Sequence, residues 1–376
     1  MIYFDNGATT YPKPQNVIKG VMAASKYYSF NSGRGGYAQS LKAAEKIYDV
    51  REKIGEMFSF PASNIVFTKN CTEALNIAIK GSVKKGEHVI ISSLEHNSVI
   101  RVVHKLFIEN IINYDIAKFS FDEDETVNNF KKLIKPNTSL IVCMHSSNVF
   151  GVTFPIAKIG KLCKEKGIRF IVDGAQGAGV ADINAVRDNI DILCAPGHKC
   201  LFGPMGTGFM AVKNDIVLDS LIQGGTGSKS ALLTQPDFLP DKFESGTLNN
   251  AGIIALGEGI NFVNSKGIDR IYNHEINMAA RVYDGLSRID GIKLYTPNPK
   301  KIKSVPIVSF NYKDYSSEKV AAILADNNIC VRAGLHCSPL AHKHFNTMNT
   351  GAVRISFGYF NNENECVRLM NVVKKL

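Results

Sequence analysis

The feature that most restricts the fold is a set of short apolar runs separated by longer stretches of helical periodicity. Residues 140–144, LIVCM, carry no polar side chain. A strand of that kind has no face to give to water, so it belongs in a sheet covered on both sides. Other β-rich runs occur at 65–68, 88–92, 169–173, 190–195 and 209–212. Segments 72–80, 99–107 and 156–166 between them suit helices, and Leu41, Ala44, Ile47, Tyr48, Ile54 and Phe58 recur at helical spacing over 37–58. This alternation predicts an α/β fold with a mostly parallel sheet between helical layers.

The pattern changes after residue 250. A helical stretch over 251–290 leads to strands at 306–310, 329–332 and 353–357, with Ser316 or Ser317 and Asn361 or Asn362 as helix caps. This predicts a large part over 1–250 packed on a smaller α+β part over 251–376. The first ~20 residues are expected to lie against the smaller part. No apolar run reaches the roughly 18 residues of a membrane span, and the start, with Asp5 and no apolar stretch, is unlike a signal peptide. The expectation is a cytoplasmic protein that avoids membranes. Its eight cysteines form no CxxC pair, so reduced thiols are expected. The net charge is +10, but Lys and Arg are scattered without an arginine-rich tract, which argues against nucleic acid as a partner.

The chemistry concentrates in IRFIVDGAQGAGV and DILCAPGHKCLFG. Asp173 ends one apolar strand and Lys199 follows closely on another, and the 17 residues 174–190 suffice for a crossover between parallel strands. Both side chains then emerge at the carboxyl edge of the sheet, where open α/β sheets bind ligands. An amine and a carboxylate there suit pyridoxal phosphate. The lysine joins its aldehyde as a Schiff base, and the aspartate keeps its ring nitrogen protonated. Read alone, the pair better fits a surface lysine and a turn-capping aspartate; the neighbouring motifs change that balance. TKNCTEALN puts Cys71 and Thr72 where a strand gives way to a helix, a place for a phosphate. SLEHNS puts His96 past another strand end, and HSSNVFG puts Asn148 past a third.

DNGATT, EHNS, HSSNVFG, VDGAQ, GHK, ESGT and RAGLHC follow one another in this order. Together they resemble the class V aminotransferase-type PLP enzymes, and among them the cysteine desulfurases of the subclass that includes selenocysteine lyases. The resemblance extends from Asp5 to Tyr359 and implies fold type I of the PLP-dependent transferases. It implies Lys199 as the Schiff-base lysine, Asp173 as the partner of the ring nitrogen, Asn148 and Gln176 at the ring oxygen, and His96 stacked on the ring. Thr72, His198 and the amide of Cys71 are then phosphate ligands. Thr247, in ESGT, reaches the phosphate of a second subunit, which implies a homodimer. Arg354 clamps the carboxylate of an amino-acid substrate, beside Asn148 and the backbone of Gly7 and Ala8. Cys337 becomes the nucleophile that takes sulfur from L-cysteine as a persulfide, leaving L-alanine. The sulfur then passes to an acceptor protein, a supply of the kind that iron–sulfur cluster assembly uses.

Two residues depart from the family pattern. Pro196 stands where many desulfurases have a serine hydroxyl, which removes one phosphate contact. Leu335 replaces a histidine in RAGLHC, which bears on proton transfer and on the choice between cysteine and selenocysteine. The compact stretch from Arg332 to Arg354 resembles the subclass with a short cysteine loop. Rival readings are a selenocysteine lyase, a class V lyase or transaminase that does not use Cys337, and a silent scaffold. His336, Cys337, His342 and His344 also supply enough donors for zinc, a lesser reading because no CxxC or HExxH accompanies them. His342 and His344 are expected as solvated loop residues or a partner-facing surface, and Cys330 as a packing residue.

Overall fold

In the computed structural model, which describes residues 1–33 and 35–376, the chain opens with strand β1 (Ile2–Tyr3) and helices α1 (Gln15–Tyr27) and α2 (Ala38–Phe58). Strands and helices then alternate as β2 (Ile65–Thr68), α3 (Cys71–Ser82), β3 (Glu87–Ser92), α4 (Asn97–Ile108), β4 (Ile112–Ala117) and α5 (Glu123–Lys131). β5 (Thr138–Met144), α6 (Ile156–Lys166), β6 (Arg169–Asp173), β7 (Ile192–Pro196) and β8 (Gly208–Val212) complete this series. Next come α7 (Asn250–Lys266), α8 (Ile268–Leu286), β9 (Ile292–Leu294), β10 (Ile307–Tyr312) and α9 (Ser317–Asp326). The chain finishes with β11 (Ile329–Cys330), α10 (Pro339–His344), β12 (Val353–Ser356) and α11 (Glu363–Val373).

The main sheet has the order β2-β8-β7-β6-β5-β3-β4, and only β8 runs against its neighbours. Because side chains alternate across a strand, each strand feeds two cores. Ile90, Ile141, Cys143, Phe170, Val172, Leu193 and Phe209 face one, with Ile47 and Ile54 of α2 and Leu256 of α7. Val89, Ile91, Leu140, Val142, Ile171, Ile192 and Met210 face the other, under Leu75 of α3 and Val103 of α4. This double coverage is why LIVCM can be apolar throughout.

A three-stranded antiparallel sheet, β12-β10-β9, packs against α8, α9 and α11 through Val282, Leu324 and Leu369. The amino terminus joins this part. β1 pairs in parallel with β11, and Ile2 and Phe4 are buried in the same cluster as Phe310 and Ile355.

The structure revises several sequence expectations. The stretch over 251–290 is two helices, separated at Gly267, whose φ of +82° an L side chain rarely adopts. Ile253, Leu256 and Ile260 of α7 pack into the main-sheet core, whereas α8 packs on the smaller sheet. The crossover between β6 and β7 consists of turns with no helix. Strands β1 and β4 and helices α1, α5 and α10 had no clear signal. The helix caps resolve to Ser316, which accepts from the Lys319 N–H, and to Asn362, in a capping box with Glu365. Among the described residues no helix is long and apolar enough to cross a membrane.

Candidate active site

Because β2, β3, β5, β6 and β7 run the same way, the residues after them collect at one edge of the sheet. They enclose a cavity of about 110 Å³. Cys71, Thr72, His96 and Asn148 line it from the first three strand ends. Asp173, Gln176, His198 and Lys199 line it from the other two. These eight are residues that the sequence marked as cofactor contacts. Close approach at this edge depends on Gly208, where a Cβ would sit 2.7 Å from the carbonyl carbon of Asn70 at the start of α3.

The cavity is electrostatically unbalanced. Asp173 is buried and accepts from the Ala175 N–H at 2.9 Å, with the Cys71 thiol 3.6 Å away. Burial pushes its carboxyl above the usual range, against the pull of the Ala175 amide and Lys199. Burial lowers the Lys199 ammonium, opposed by Asp173. His96 caps α4, its Nδ1 accepting from the Ser98 N–H at 3.1 Å. Burial, with the charges of Lys199, Arg332 and Arg101, brings it down to about 4, so the ring is neutral. His198 is brought to about 4 by burial and Lys199, and its buried Nδ1 has no partner among the described residues. Behind the cavity, the Glu95 carboxyl accepts from Ser92 Oγ at 2.5 Å and the Met144 N–H at 2.7 Å, tying β3 to β5.

Arg354 lies on β12, and the amino-terminal segment reaches it. Its side chain is 1% exposed; Nη2 donates to Asp5 Oδ1 at 2.5 Å and Nη1 to the Asn148 carbonyl at 2.8 Å. Nε is buried without a partner among the described residues. A Cβ on Gly7 would lie 3.1 Å from the guanidinium carbon, so glycine lets this segment lie flat against the arginine. The Gly7 carbonyl accepts from Gln176 Nε2 at 2.9 Å, and the Ala8 N–H donates to the Asp5 carbonyl at 3.0 Å.

Cys337 is exposed, on a loop where His336 and Cys337 have φ of +52° and +56°. Its carbonyl accepts from the Asn97 N–H at 2.8 Å, beside His96, and Arg332 Nη2 lies 3.8 Å from its sulfur. The imidazole of His336 turns inward. It stacks on His342 with centroids 5.7 Å apart, and its Nε2 lies 3.4 Å from the Arg332 carbonyl. His342 is fully buried, with Nδ1 2.7 Å from Thr347 Oγ1. The expectation of a solvated His342 is therefore wrong: the ring packs against Phe150 in the interior. His344 is half-buried, its Nδ1 3.3 Å from Ser93 Oγ. The rings of His336 and His342 are buried, and among the described residues no group of three His, Cys, Asp or Glu side chains is placed to hold a metal ion.

Thr247 is exposed and lies outside the cavity. Its segment is anchored by a buried pair, Arg51 Nη2 to Glu244 Oε2 at 2.6 Å. Sequence reasoning missed Asp5 as the partner of Arg354, Arg332 as the neighbour of the Cys337 sulfur, and Ser338. Asp5 and Arg332 each open a quoted motif, DNGATT and RAGLHC, but only the folded chain shows what they face.

Residues 2–369 match the Aminotransferase class-V family. The chain belongs to that family, whose enzymes depend on pyridoxal phosphate. A probable cysteine desulfurase of Methanothermobacter thermautotrophicus is 34% identical over all of this chain and 94% of its own length. Another, from Pyrococcus abyssi, is 31% identical over all of this chain and 94% of its own. The apo structure of a cysteine desulfurase from Thermococcus onnurineus NA1 superposes with a TM-score of 0.93 at 30% identity, covering 100% of this chain and 94% of that one.

The cavity suits the cofactor on this structure's own evidence. The orphaned His198 Nδ1 offers an unused hydrogen-bonding atom. Asp173 is a buried carboxyl without an ion pair among the described residues, which a protonated ring nitrogen would supply. The first N–H groups of α3, at Cys71 and Thr72, have no partner within the helix and favour an anion.

Proposed function

We propose that this chain converts L-cysteine to L-alanine, loading the sulfur onto Cys337 as a persulfide for transfer to an acceptor protein. The observation that carries the reading is one connection. The exposed thiol and the cavity holding Lys199 and Asp173 share a wall, because Asn148 lines the cavity and also bonds the loop on both sides of Cys337.

Bound pyridoxal phosphate supplies an electron sink at the substrate α-carbon. Lys199 holds the cofactor and moves the α-proton; the burial that lowers its ammonium keeps the free amine available. Asp173 pairs with the ring nitrogen, and neutral His96 offers a flat face to the ring. Thr72, His198 and the Cys71 amide hold the phosphate, and Asn148 and Gln176 border the ring oxygen. Arg354, oriented by Asp5, takes the substrate carboxylate next to Ala8. The Cys337 thiolate attacks the substrate sulfur. A sulfur–sulfur bond forms and the carbon–sulfur bond breaks, and its electron pair stays with the carbon fragment, which is protonated to alanine. The acceptor protein, or a small thiol, then removes the sulfur.

Thr247 on an exposed segment suits completion of the phosphate site of a second copy, so the working unit is a homodimer. Leu232 and Leu233, strongly exposed in the preceding segment, supply apolar surface for that contact. The eight unpaired cysteines suit the reducing cytoplasm. The test is incubation of purified holoenzyme with L-cysteine, with alanine quantified and residue 337 examined by mass spectrometry. Alanine with a Cys337 persulfide is expected. Undiminished cysteine turnover by Cys337→Ala refutes the persulfide route and leaves a lyase that does not need the thiol.

A further inference from the structure

The stretch around Cys337 is exposed at its sulfur and strained in its backbone, yet it is held at several points. Two consecutive non-glycine residues, His336 and Cys337, lie in the left-handed region at φ of +52° and +56°. Such a conformation persists only where the surroundings impose it. The Asn97 N–H binds the Cys337 carbonyl at 2.8 Å, and the Ser338 N–H closes a turn onto the Leu335 carbonyl at 2.9 Å. The remaining constraint comes from the cavity wall. Asn148 Nδ2 donates to the His336 carbonyl at 2.9 Å, and Ser338 Oγ donates to Asn148 Oδ1 at 2.6 Å.

The orientation of this amide follows from chemistry. A backbone carbonyl only accepts, so the nitrogen of Asn148 must face His336. Its oxygen then faces Ser338, whose hydroxyl must donate. One amide thus clasps the residues immediately before and after the nucleophile. Ser338 is fully buried, so no water replaces its hydroxyl if it is lost.

We infer that Ser338 is a positioning residue for Cys337: through Asn148 it locks the thiol-bearing turn onto the wall of the cofactor cavity. This deepens the desulfurase reading and rests on it for the meaning of the sulfur's position; the clasp itself is a property of the fold. Without the hydroxyl, Asn148 Oδ1 loses its donor and the amide is free to swing. Residues 336 and 337 then relax toward ordinary backbone angles, carrying the sulfur away from its line of attack. Lys199, Asp173 and the phosphate ligands Thr72 and His198 sit on other segments and are untouched, so the cofactor should still load, with only the Asn148 contact at its ring oxygen altered.

The experiment compares parent holoenzyme with Ser338→Ala. In single-turnover reactions with L-cysteine, persulfide formation on Cys337 is expected to slow by on the order of tenfold, the loss of one hydrogen bond in positioning. The cofactor should load to the parental level, as its absorbance band reports, because Lys199, Asp173 and the phosphate ligands are unchanged. Deuterium exchange in the peptide covering 334–338 should quicken while the main-sheet strands keep their protection. An unchanged persulfide rate in a folded variant overturns the inference. So does loss of the cofactor band in step with activity, which would put the effect on cofactor binding. Should Ser338→Ala not fold, the parent still decides: the amides of Asn97 and Ser338 must be protected, and exchange at the rate of a free loop refutes the clasp. If the parent forms no persulfide at all, the desulfurase reading fails, while the exchange comparison still reports on the clasp.

Discussion

Replacing Arg354 by alanine tests substrate recognition most directly. Its guanidinium is 1% exposed and already bonded to Asp5 and the Asn148 carbonyl, leaving donors to spare for a substrate carboxylate. Truncating one side of a buried, hydrogen-bonded charge pair costs about 2–5 kcal/mol, or roughly 30-fold to several thousand-fold in kcat/KM at about 1.4 kcal/mol per tenfold. Most of the loss is expected in KM, because the carboxylate is held before and during the reaction. The change also strips Asp5 of its partner. That carboxylate is 22% exposed and partly hydrated, so the stability cost should fall below the 3–5 kcal/mol of a fully buried pair. The assay is steady-state kinetics with L-cysteine, with cofactor absorbance as the folding control. Cysteamine, which lacks the carboxylate, serves as a competing ligand. Arg354→Ala should weaken cysteine binding and leave cysteamine inhibition nearly unchanged. An unchanged KM for cysteine, or an equal loss for both molecules, removes Arg354 from the carboxylate site.

Lys199→Ala should abolish turnover, and borohydride should no longer fix the cofactor to the chain; normal activity would reject the assignment. Arg332→Ala should slow persulfide formation on Cys337 several-fold, because the guanidinium Nη2, 3.8 Å from the sulfur, donates to it and holds it in place. An unaltered rate excludes that role. His336 and His342 are lowered from their ordinary value of 6.5, by burial first, to about 3 and about 4. The unfolded chain therefore binds their protons first, and stability should fall as pH drops below 6.5 towards 4. A melting temperature that is flat over that window contradicts the buried, neutral pair.

Chain segments with regular physics were readable and the irregular ones were not. Strands β5 and β6 announce themselves because burial on two faces demands unbroken apolar runs. Edge strand β4, INYDIA, carries Asn113 and Asp115 and buries only its end residues, so nothing in its composition separates it from a loop. Helix α1 begins at Gln15 after Pro14, which offers no side-chain cap, and this hides its beginning. The strand-end residues of the cavity were legible because parallel topology brings carboxyl ends together whatever the loops do. The inward turn of His336 was not. It depends on two left-handed residues and on a stack with His342, contacts that sequence spacing cannot express.

The pairing of β1 with β11, and of Asp5 with Arg354, has a temporal consequence. Residues 2–5 finish their structure only when partners 327 to 349 positions later have emerged. At about 5–20 residues per second, a ribosome spends roughly 20–70 s building that interval. During it Ile2 and Phe4 have no native groove to enter, and the proposed grip on substrate does not yet exist. The main sheet, whose strands end by Val212, can form well before then. Competence for catalysis is thus withheld until Arg354 and the strands beside it have been made.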